Sequence, residues 1–250
     1  MENYLSCAMD IGEKMLTSGA EIYRVEESIR RMCTAFGASR TDVFIITSNM
    51  TATVYLPEGG SFTQTRRILS SETDYEKLHH LNMLSRRICS EKMSEEEIRK
   101  ALAKISESKR YPFWLECAAY SFTAGAFTVF FGGDVKEMGV SLFVGLVVPF
   151  CLRFSEKFLS SKIFTRFLCS AVATLLAFLS VWCGIIRSVD MVIIGNIMTL
   201  VPGVGLTNAL RDLLVGDSVS GLLRLIEAIL MAIAIAAGYF LVAVLGGFVP

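Results

Sequence analysis

The sequence has no excess of charge of either sign and no obvious export signal. Its 250 residues carry 24 Lys and Arg against 24 Asp and Glu, whereas a nucleic-acid-binding surface shows a clustered basic excess. The N-terminus, MENYLSCAMDIGEKML, lacks the basic start and the short uninterrupted apolar core of a signal peptide. We therefore expect no nucleic-acid partner, and an N-terminal part that stays in the cytosol.

Metal and disulfide signatures are missing as well. The seven cysteines never fall two or three residues apart. A zinc site would need CxxC-like pairs, and a disulfide-stapled secreted domain would be small and rich in cysteine. We predict reduced cysteines that serve packing, and neither a metal nor a cofactor.

Sequence patterns of common enzymes are also absent. The only histidines, His79 and His80, do not form an HExxH pattern, and no GxSxG elbow is present. The VPGVG segment lacks the third glycine and the preceding strand of a nucleotide-binding loop. We expect a protein that is not an enzyme. The alternative is a hydrolase that pairs a histidine with a distant serine, which a buried His–Ser or His–carboxylate pair in a cleft would support.

Apolar residues are abundant and unevenly distributed. The chain is 53% hydrophobic with a mean hydropathy of +0.52, above the roughly 45–50% that is usual in soluble domains even with glycine counted. Residues 1–110 hold 16 of the 24 basic and 16 of the 24 acidic residues. This distribution predicts a cytosolic α+β domain at 1–110, followed by an all-α polytopic membrane domain at 111–250 in the lipid bilayer.

Periodicity predicts the elements of the cytosolic domain. Apolar residues at helical spacing give two helices within 1–38, separated by Ser18-Gly19. Three β-rich runs follow, with a hairpin signal at 57–60 between the last two: 42–48, 51–56 and 61–68. A helix then carries Tyr75 to Ile88, and Ser94 opens another through a capping box. The domain is predicted to end at Lys109-Arg110.

Five segments are candidates for crossing the bilayer, which takes about 20 apolar residues per helix. They lie near 112–131, 138–154, 167–186, 191–214 with a break at Pro202, and 222–245. The loops on one side carry most of the Lys and Arg, whereas the opposite loops hold only Lys136 and Arg187. This asymmetry predicts a cytosolic N-terminus and a C-terminus outside, in the cell (inner) membrane.

An odd number of spans cannot hold two equal repeats with a binding site between them. The chain is therefore expected to need a partner or a homo-oligomer. Two rows of small residues at four-residue spacing suit close helix association, either between copies or within one subunit: Cys169, Ala173 and Ala177, and Ala228, Ala232 and Ala236.

The segment NIMTLVPGVGLTNALRDLLVGD, residues 196–217, predicts a broken membrane helix. Pro202 cannot donate a hydrogen bond to the Met198 carbonyl, and Gly203 and Gly205 tolerate unusual backbone angles. The ends of half-helices bind carboxylates and cations in several transporters. The alternative is a proline kink followed by an amphipathic interfacial helix.

Polar residues around this break are our candidate transport path. Asn196, Thr199, Gly203, Thr207 and Arg211 would share one stripe if the helix were continuous. Arg211 at the cytosolic mouth would attract an anionic substrate, and Asp212 would hold the arginine until substrate competes. The complete predicted path is Asn196, Thr199, Pro202, Gly203, Gly205, Asn208, Arg211 and Asp212.

Two carboxylates just inside the spans are candidates for proton coupling. Glu116 and Glu227 lie where desolvation raises a carboxyl pKa toward neutrality. Glu227 follows Arg224 by three residues, so a structural ion pair is the favoured interpretation for that residue.

Three segments resemble the threonine/serine exporter family, specifically its N-terminal portion. They are LTSGAEIYRVEESIRRMCTAFG (16–37), RYPFWL (110–115) and LVPGVGLTNALRDLLVGDSVSGLLRLIEAIL (200–230). The carried-over motif positions are Gly19, Glu21, Arg24 and Glu26 in the cytosolic pattern, and Pro202, Gly203, Asn208, Arg211 and Asp212 in the membrane pattern. Gly205 departs from the family's usual residue, which bears on the shape of the break.

The resemblance implies a cytosolic domain, five membrane helices and efflux of small amino acids or dicarboxylates such as succinate. It also implies the long subunit of a split exporter that works with a short multi-helix membrane subunit. We therefore expect a secondary exporter of a small carboxylate-bearing metabolite, coupled to the proton gradient. A non-transporting assembly or sensor subunit is the alternative. Glu21 and Arg24 are either a regulatory or docking pair, or an ordinary surface pair.

Overall fold

The computed structural model describes residues 1–69, 72–91, 93–107, 111–158 and 161–247, and these fold into two compact units. The first unit comprises Met1–Lys109 and Thr207–Leu225; the second comprises Arg110–Leu206 and Ile226–Pro250. The segment Thr207–Leu225 thus clusters with the N-terminal residues. The predicted end of the cytosolic domain at Lys109-Arg110 lies outside the described residues, and a boundary at 110/111 stays a prediction.

The two predicted N-terminal helices are confirmed as α1 (Glu2–Thr17) and α2 (Ile22–Ala35). Gly19 separates them with φ +91, a left-handed conformation that glycine adopts without a steric penalty. Helical spacing places Ile22, Val25, Ile29 and Met32 on one face of α2, and this apolar face is buried. Burial of each such side chain contributes about 1.5–3 kcal/mol.

The three β-rich runs form an antiparallel sheet in the order β1-β2-β3. The strands are β1 (Arg40–Ile46), β2 (Asn49–Tyr55) and β3 (Ser61–Arg67). Met50, Ala52 and Val54 alternate along β2 and face the core. The predicted hairpin after β2 is present, with Gly59 and Gly60 at positive φ and the Leu56 amide donating to the Gly60 carbonyl over 3.0 Å.

Helices α3 (Tyr75–Ser90) and α4 (Glu95–Ser106) complete the core of the first unit. The predicted capping box at the start of α4 is confirmed. The Glu97 carboxylate accepts from the Ser94 amide at 2.8 Å, and the Ser94 hydroxyl accepts from the Glu97 amide at 3.4 Å. These reciprocal bonds satisfy amides that the helix itself leaves free.

The remaining helices run from α5 to α10, and several are apolar on all sides. They are α5 (Phe113–Phe130), α6 (Val135–Phe158), α7 (Lys162–Trp182), α8 (Asp190–Met198), α9 (Gly203–Val215) and α10 (Ser218–Leu245). Within the described residues, α6, α7 and α10 are each long and apolar enough to cross a membrane. The pair α8 and α9, bent by 56°, counts as a fourth span or as a re-entrant loop.

The predicted first span is helical but is not among these three. Helix α5 is only 18 residues long and includes Glu116 and several hydroxyl-bearing side chains, which lower its mean hydropathy. The count of five spans therefore stays a prediction. Large apolar side chains on the surface of the second unit, such as Phe122 and Phe143, are exposed, as expected for a lipid-facing surface.

Small residues bring the helices of the second unit into close contact. A Cβ on Gly145 of α6 would lie 2.8 Å from the Ser121 Cα of α5, and one on Gly195 of α8 would lie 2.7 Å from the Ala124 carbonyl oxygen. The predicted row Cys169, Ala173 and Ala177 is buried within the chain. That row therefore serves packing within one subunit, one of the two functions expected for it.

Candidate functional site

A tight helical hairpin brings two charged residues together in the first unit. Helix α9 ends at Val215, Gly216 turns the chain at φ +107, and α10 begins at Ser218. Gly221 lies against α9, where a Cβ would be 2.9 Å from the Ala209 carbonyl oxygen. This close approach places Asp212 of α9 beside Arg224 of α10.

Asp212 and Arg224 form a buried ion pair. The Arg224 Nη1 lies 3.1 Å from Asp212 Oδ2, and the two side chains are only 16% and 2% exposed. The N–H bond is not directed at the oxygen, so the contact is an ion pair without a hydrogen bond. Sequence spacing predicted Glu227 as the partner of Arg224, and this was wrong. The loss of a neighbouring cation costs more free energy for the buried carboxylate of Asp212 than for the exposed carboxylate of Glu227.

The same pair contacts the turn before α2. Arg224 Nη2 donates to the Ala20 carbonyl at 3.4 Å, and the backbone N–H of Ile22 interacts with the Asp212 carboxylate. A carboxylate is favoured at this place because the first amides of a helix have no partner within the helix. The hairpin therefore holds the start of α2 through both of its charges.

A second ion pair joins Glu21 to Arg211. The Arg211 Nη1 lies 2.6 Å from Glu21 Oε1, with side-chain exposures of 57% for the arginine and 20% for the glutamate. Glu21 is the N-cap residue of α2, yet its side chain makes no capping bond, since the carboxylate is turned toward Arg211. We name Glu21, Arg211, Asp212 and Arg224 the charge cluster.

The charge cluster changes two expectations. Asp212 was expected to hold Arg211; instead Glu21 holds Arg211, and Asp212 is paired with Arg224. Glu21 was also a candidate for an ordinary surface pair with Arg24, which lies on the first turn of α2 and is exposed. The cytosolic and membrane sequence patterns thus meet in one cluster, a contact that neither pattern reveals by itself.

Glu26, another residue of the predicted cytosolic pattern, lies on α2 and is half-buried. Its Oε1 accepts a hydrogen bond from the Ile45 amide at 3.1 Å. Burial raises the pKa of the Glu26 carboxyl and the negative charge of Asp217 raises it further, while the Ile45 amide and Arg30 oppose the shift. Glu26 therefore connects α2 to β1 through the Ile45 amide, at a place where burial disfavours the ionised form of its carboxyl group.

The predicted break at Pro202 is confirmed. Helix α8 ends at Met198 and α9 begins at Gly203. The carbonyls before Met198 are satisfied by tight turns, with Leu200 N donating to the Ile197 oxygen at 2.8 Å. The Met198 carbonyl receives no hydrogen bond from any described residue, as expected from the missing donor of Pro202.

The second half-helix begins with free amides. The Pro202 carbonyl accepts from Leu206 at 3.0 Å, whereas the amides of Val204 and Gly205 have no acceptor in the part of the chain that is described. The bend also interrupts the polar stripe that a continuous helix would have carried. Asn196 and Thr199 therefore do not share a helical face with Gly203, Thr207 and Arg211, because α8 ends at Met198 and a separate helix begins at Gly203.

Asn196 lies in a buried polar group within the second unit. It is 1% exposed, and its Nδ2 donates to the Val192 carbonyl at 2.9 Å and to the Ser141 Oγ at 3.3 Å. The hydroxyl oxygens of Ser141 and Thr128 are 2.6 Å apart, and the Asn196 Oδ1 has no hydrogen-bond partner among the described residues. Sequence reasoning missed Ser141 and Thr128, whose only signal is a hydroxyl in an apolar helix.

The other predicted residues lie outside these groups. Asn208 is half-buried on α9, and Glu116 and Glu227 are exposed, so their proposed proton coupling stays a prediction. His79 and His80 are both exposed on α3. Neither is buried in a cleft with a serine or carboxylate, the arrangement that would have favoured a hydrolase.

The apolar helices, the broken segment and the buried polar groups define a membrane protein. The chain belongs to the threonine/serine exporter family: the family described as "Putative threonine/serine exporter" matches residues 6–246. A protein of Mycobacterium tuberculosis named "Probable threonine/serine exporter" is 23% identical over 238 residues. The alignment covers 94% of this chain but only 44% of that relative. No solved structure matches the chain.

Proposed function

We propose that the protein is part of a secondary exporter that moves threonine, serine or a dicarboxylate such as succinate out of the cell. Family membership supports the exporter class. The main structural support for the charge cluster as the functional site is the Glu21–Arg211 ion pair of 2.6 Å, which connects the cytosolic and the membrane sequence patterns. The location is the cell membrane, with the N-terminal domain in the cytosol.

Arg211 is the replaceable partner in the charge cluster. A substrate carboxylate has the same chemistry as the Glu21 side chain and competes for the same guanidinium. Arg211 is 57% exposed, so substrate can reach it, whereas Asp212 is 2% exposed and stays paired with Arg224. Substrate binding then releases Glu21 and frees the start of α2 from Arg211, while the Asp212–Arg224 pair keeps α9 and α10 together.

The broken segment offers a second place for substrate. Free amides at Val204 and Gly205 suit a carboxylate, and the free carbonyl of Met198 suits an ammonium group. An α-amino acid carries both charges on adjacent atoms, whereas a dicarboxylate carries only the first kind. The chemistry of the break therefore favours threonine or serine over succinate.

The full exporter is expected to need more protein than this chain. The Mycobacterium relative is more than twice as long as the aligned part. We propose that a second group of helices completes the pathway, in the same polypeptide or as a short multi-helix partner membrane subunit, and that homo-oligomers also form. A non-transporting assembly or sensor subunit remains the second candidate, because the charge cluster could report a cytosolic state to a partner.

Reconstitution tests both candidates. The chain is placed in proteoliposomes with and without the short subunit, and efflux of labelled threonine, serine and succinate is measured with and without a proton gradient. Efflux that requires this chain supports the exporter. The sensor function is supported instead by two results together. The short subunit alone gives the same efflux as the two proteins combined, and efflux of the combination is unchanged when this chain carries Arg211→Gln.

A further inference from the structure

A cleft between α2 and α3 in the first unit is lined by arginines and has no function assigned so far. Its volume is about 420 Å³, within the roughly 300–1,000 Å³ of small-molecule sites. Arg24 and Arg31 line it from α2, and Arg86 lines it from α3. The remaining wall is polar and includes Ser28 and Asn82.

The charges in this cleft are not balanced. Glu27 is the one carboxylate among the described residues that line it, and it is paired with Arg31 at 2.6 Å. Arg24 and Arg86 have no carboxylate within 4 Å among the described residues, whereas neighbouring Arg87 pairs with Glu91 at 2.8 Å outside the cleft. Two guanidinium groups from different helices are therefore left without a counter-charge inside one concave surface.

The polar wall adds few donors of its own. The Ser28 hydroxyl donates to the Arg24 carbonyl at 2.8 Å, and the Ser85 hydroxyl donates to the Asn82 carbonyl at 2.9 Å. A cation would be repelled by the guanidinium groups, and the wall is more polar than apolar. What the cleft offers to a ligand is a pair of planar, permanently charged donors that match carboxylate or phosphate oxygens.

We propose that this cleft binds a small anion carrying two negative groups, one for Arg24 and one for Arg86. Diphosphates and dicarboxylates share this chemistry. The site is distinct from the charge cluster, and binding there does not depend on the proposed transport function. Because Arg24 is on the first turn of α2, beside the N-cap residue Glu21, an occupied cleft places negative charge close to the Glu21–Arg211 pair.

The test is calorimetric titration of the full chain in detergent, at low salt, with pyrophosphate and separately with succinate. We expect saturable binding of at least one probe, weakened about tenfold or more by either Arg24→Gln or Arg86→Gln. Arg87→Gln is the matched control: it removes the same charge from the adjacent position of α3, and it should leave binding unchanged. The probe that binds more tightly identifies the phosphate or the carboxylate class.

Cys89 provides a second measurement because it lines the cleft and is exposed. The bound probe should slow alkylation of Cys89 but not of Cys183, which is exposed elsewhere. Absence of saturable binding by the unaltered chain overturns the proposal. Equal losses from Arg86→Gln and Arg87→Gln also overturn it, because they show a general attraction of anions to a basic surface. Unfolding midpoints of the variants verify that each exposed substitution leaves the fold intact.

Discussion

Glu21 and Arg211 lie far apart in the sequence, yet their charged atoms are 2.6 Å apart. One belongs to the start of α2 and the other to α9. We expect Arg211→Glu and Glu21→Arg each to reduce efflux strongly, because each places two like charges side by side. The double exchange should recover part of the activity. Efflux from proteoliposomes measures this, with expression matched by quantitative blotting.

Stability separates this effect from a simple loss of folding. An ion pair with one partner this exposed contributes about 0–1 kcal/mol. Neutral variants such as Arg211→Gln should therefore unfold at nearly the same denaturant concentration as the unaltered protein while exporting less. Arg153→Gln, which leaves the charge cluster intact, is a control for the loss of one positive charge. Unchanged efflux from Arg211→Gln would contradict the site.

The Asp212–Arg224 pair should behave in the opposite way. Arg224→Gln leaves the buried Asp212 carboxylate without its cation, and breaking a buried pair in this manner costs about 3–5 kcal/mol. We expect a large loss of stability in denaturant unfolding of the detergent-solubilised protein. The double variant Asp212→Asn with Arg224→Gln should be more stable than Arg224→Gln alone. Glu227→Gln, at an exposed position of the same helix, should change little.

Gly221 in the α9–α10 hairpin and Gly205 after the break should respond differently to substitution by alanine. A Cβ on Gly221 would lie 2.8 Å from the Leu213 amide nitrogen and 2.9 Å from the Ala209 carbonyl oxygen. Gly221→Ala must push α9 and α10 apart, at a cost of about 1–3 kcal/mol. At Gly205 the nearest atom is a Pro202 carbon at 3.9 Å, so Gly205→Ala should be tolerated.

Unfolding midpoints and efflux of the two alanine variants test this division. If Gly205→Ala abolishes export without loss of stability, the free amides of the break depend on the flexibility of this glycine rather than on Pro202. If Gly221→Ala is as stable as the unaltered protein, the hairpin has room that the structure does not show.

Local sequence patterns were sufficient to predict the local structure. The spacing of Ile22, Val25, Ile29 and Met32 predicted α2, and Ser94 with Glu97 predicted the start of α4. Pro202 together with Gly203 and Gly205 predicted the break, since the proline removes an amide hydrogen and the glycines tolerate unusual backbone angles. Proline alone is not sufficient, because Pro149 lies inside the continuous helix α6. These features depend on residues a few positions apart, so one sequence is enough to find them.

Partners of charged residues could not be predicted in the same way. Arg224 has a glutamate three residues later on its own helix, but it pairs with Asp212 across a turn. Glu21 has Arg24 nearby, but its carboxylate contacts Arg211. Arg224 pairs with the more deeply buried of two carboxylates, and Glu21 pairs with the arginine that α9 brings to it. Both outcomes follow from the packing of segments that are distant in the sequence. The proposal that Asn196 lines a path is likewise refined by Ser141 and Thr128, which only the packing of α5, α6 and α8 brings close.

Glu26 predicts how the stability of the first unit depends on pH. Its pKa is raised by burial and by Asp217, so the folded state binds a proton more tightly than the unfolded state. The folded state is therefore relatively favoured at low pH, and this contribution is lost as pH rises from the ordinary glutamate pKa through the raised value. Glu26→Gln keeps an oxygen that can accept from the Ile45 amide and removes the charge. We expect the variant to be at least as stable at neutral pH and to lose less stability as the pH rises.

Denaturant unfolding between about pH 4 and pH 8, across the range in which carboxyl groups titrate, checks this expectation. Glu58→Gln, on the exposed turn between β2 and β3, controls for the removal of one carboxylate and should keep the slope of the unaltered protein. A steeper loss of stability in Glu26→Gln than in the unaltered protein would mean that the Ile45 hydrogen bond requires an ionised carboxylate. The attraction of that amide would then outweigh the cost of burying the charge beside Asp217.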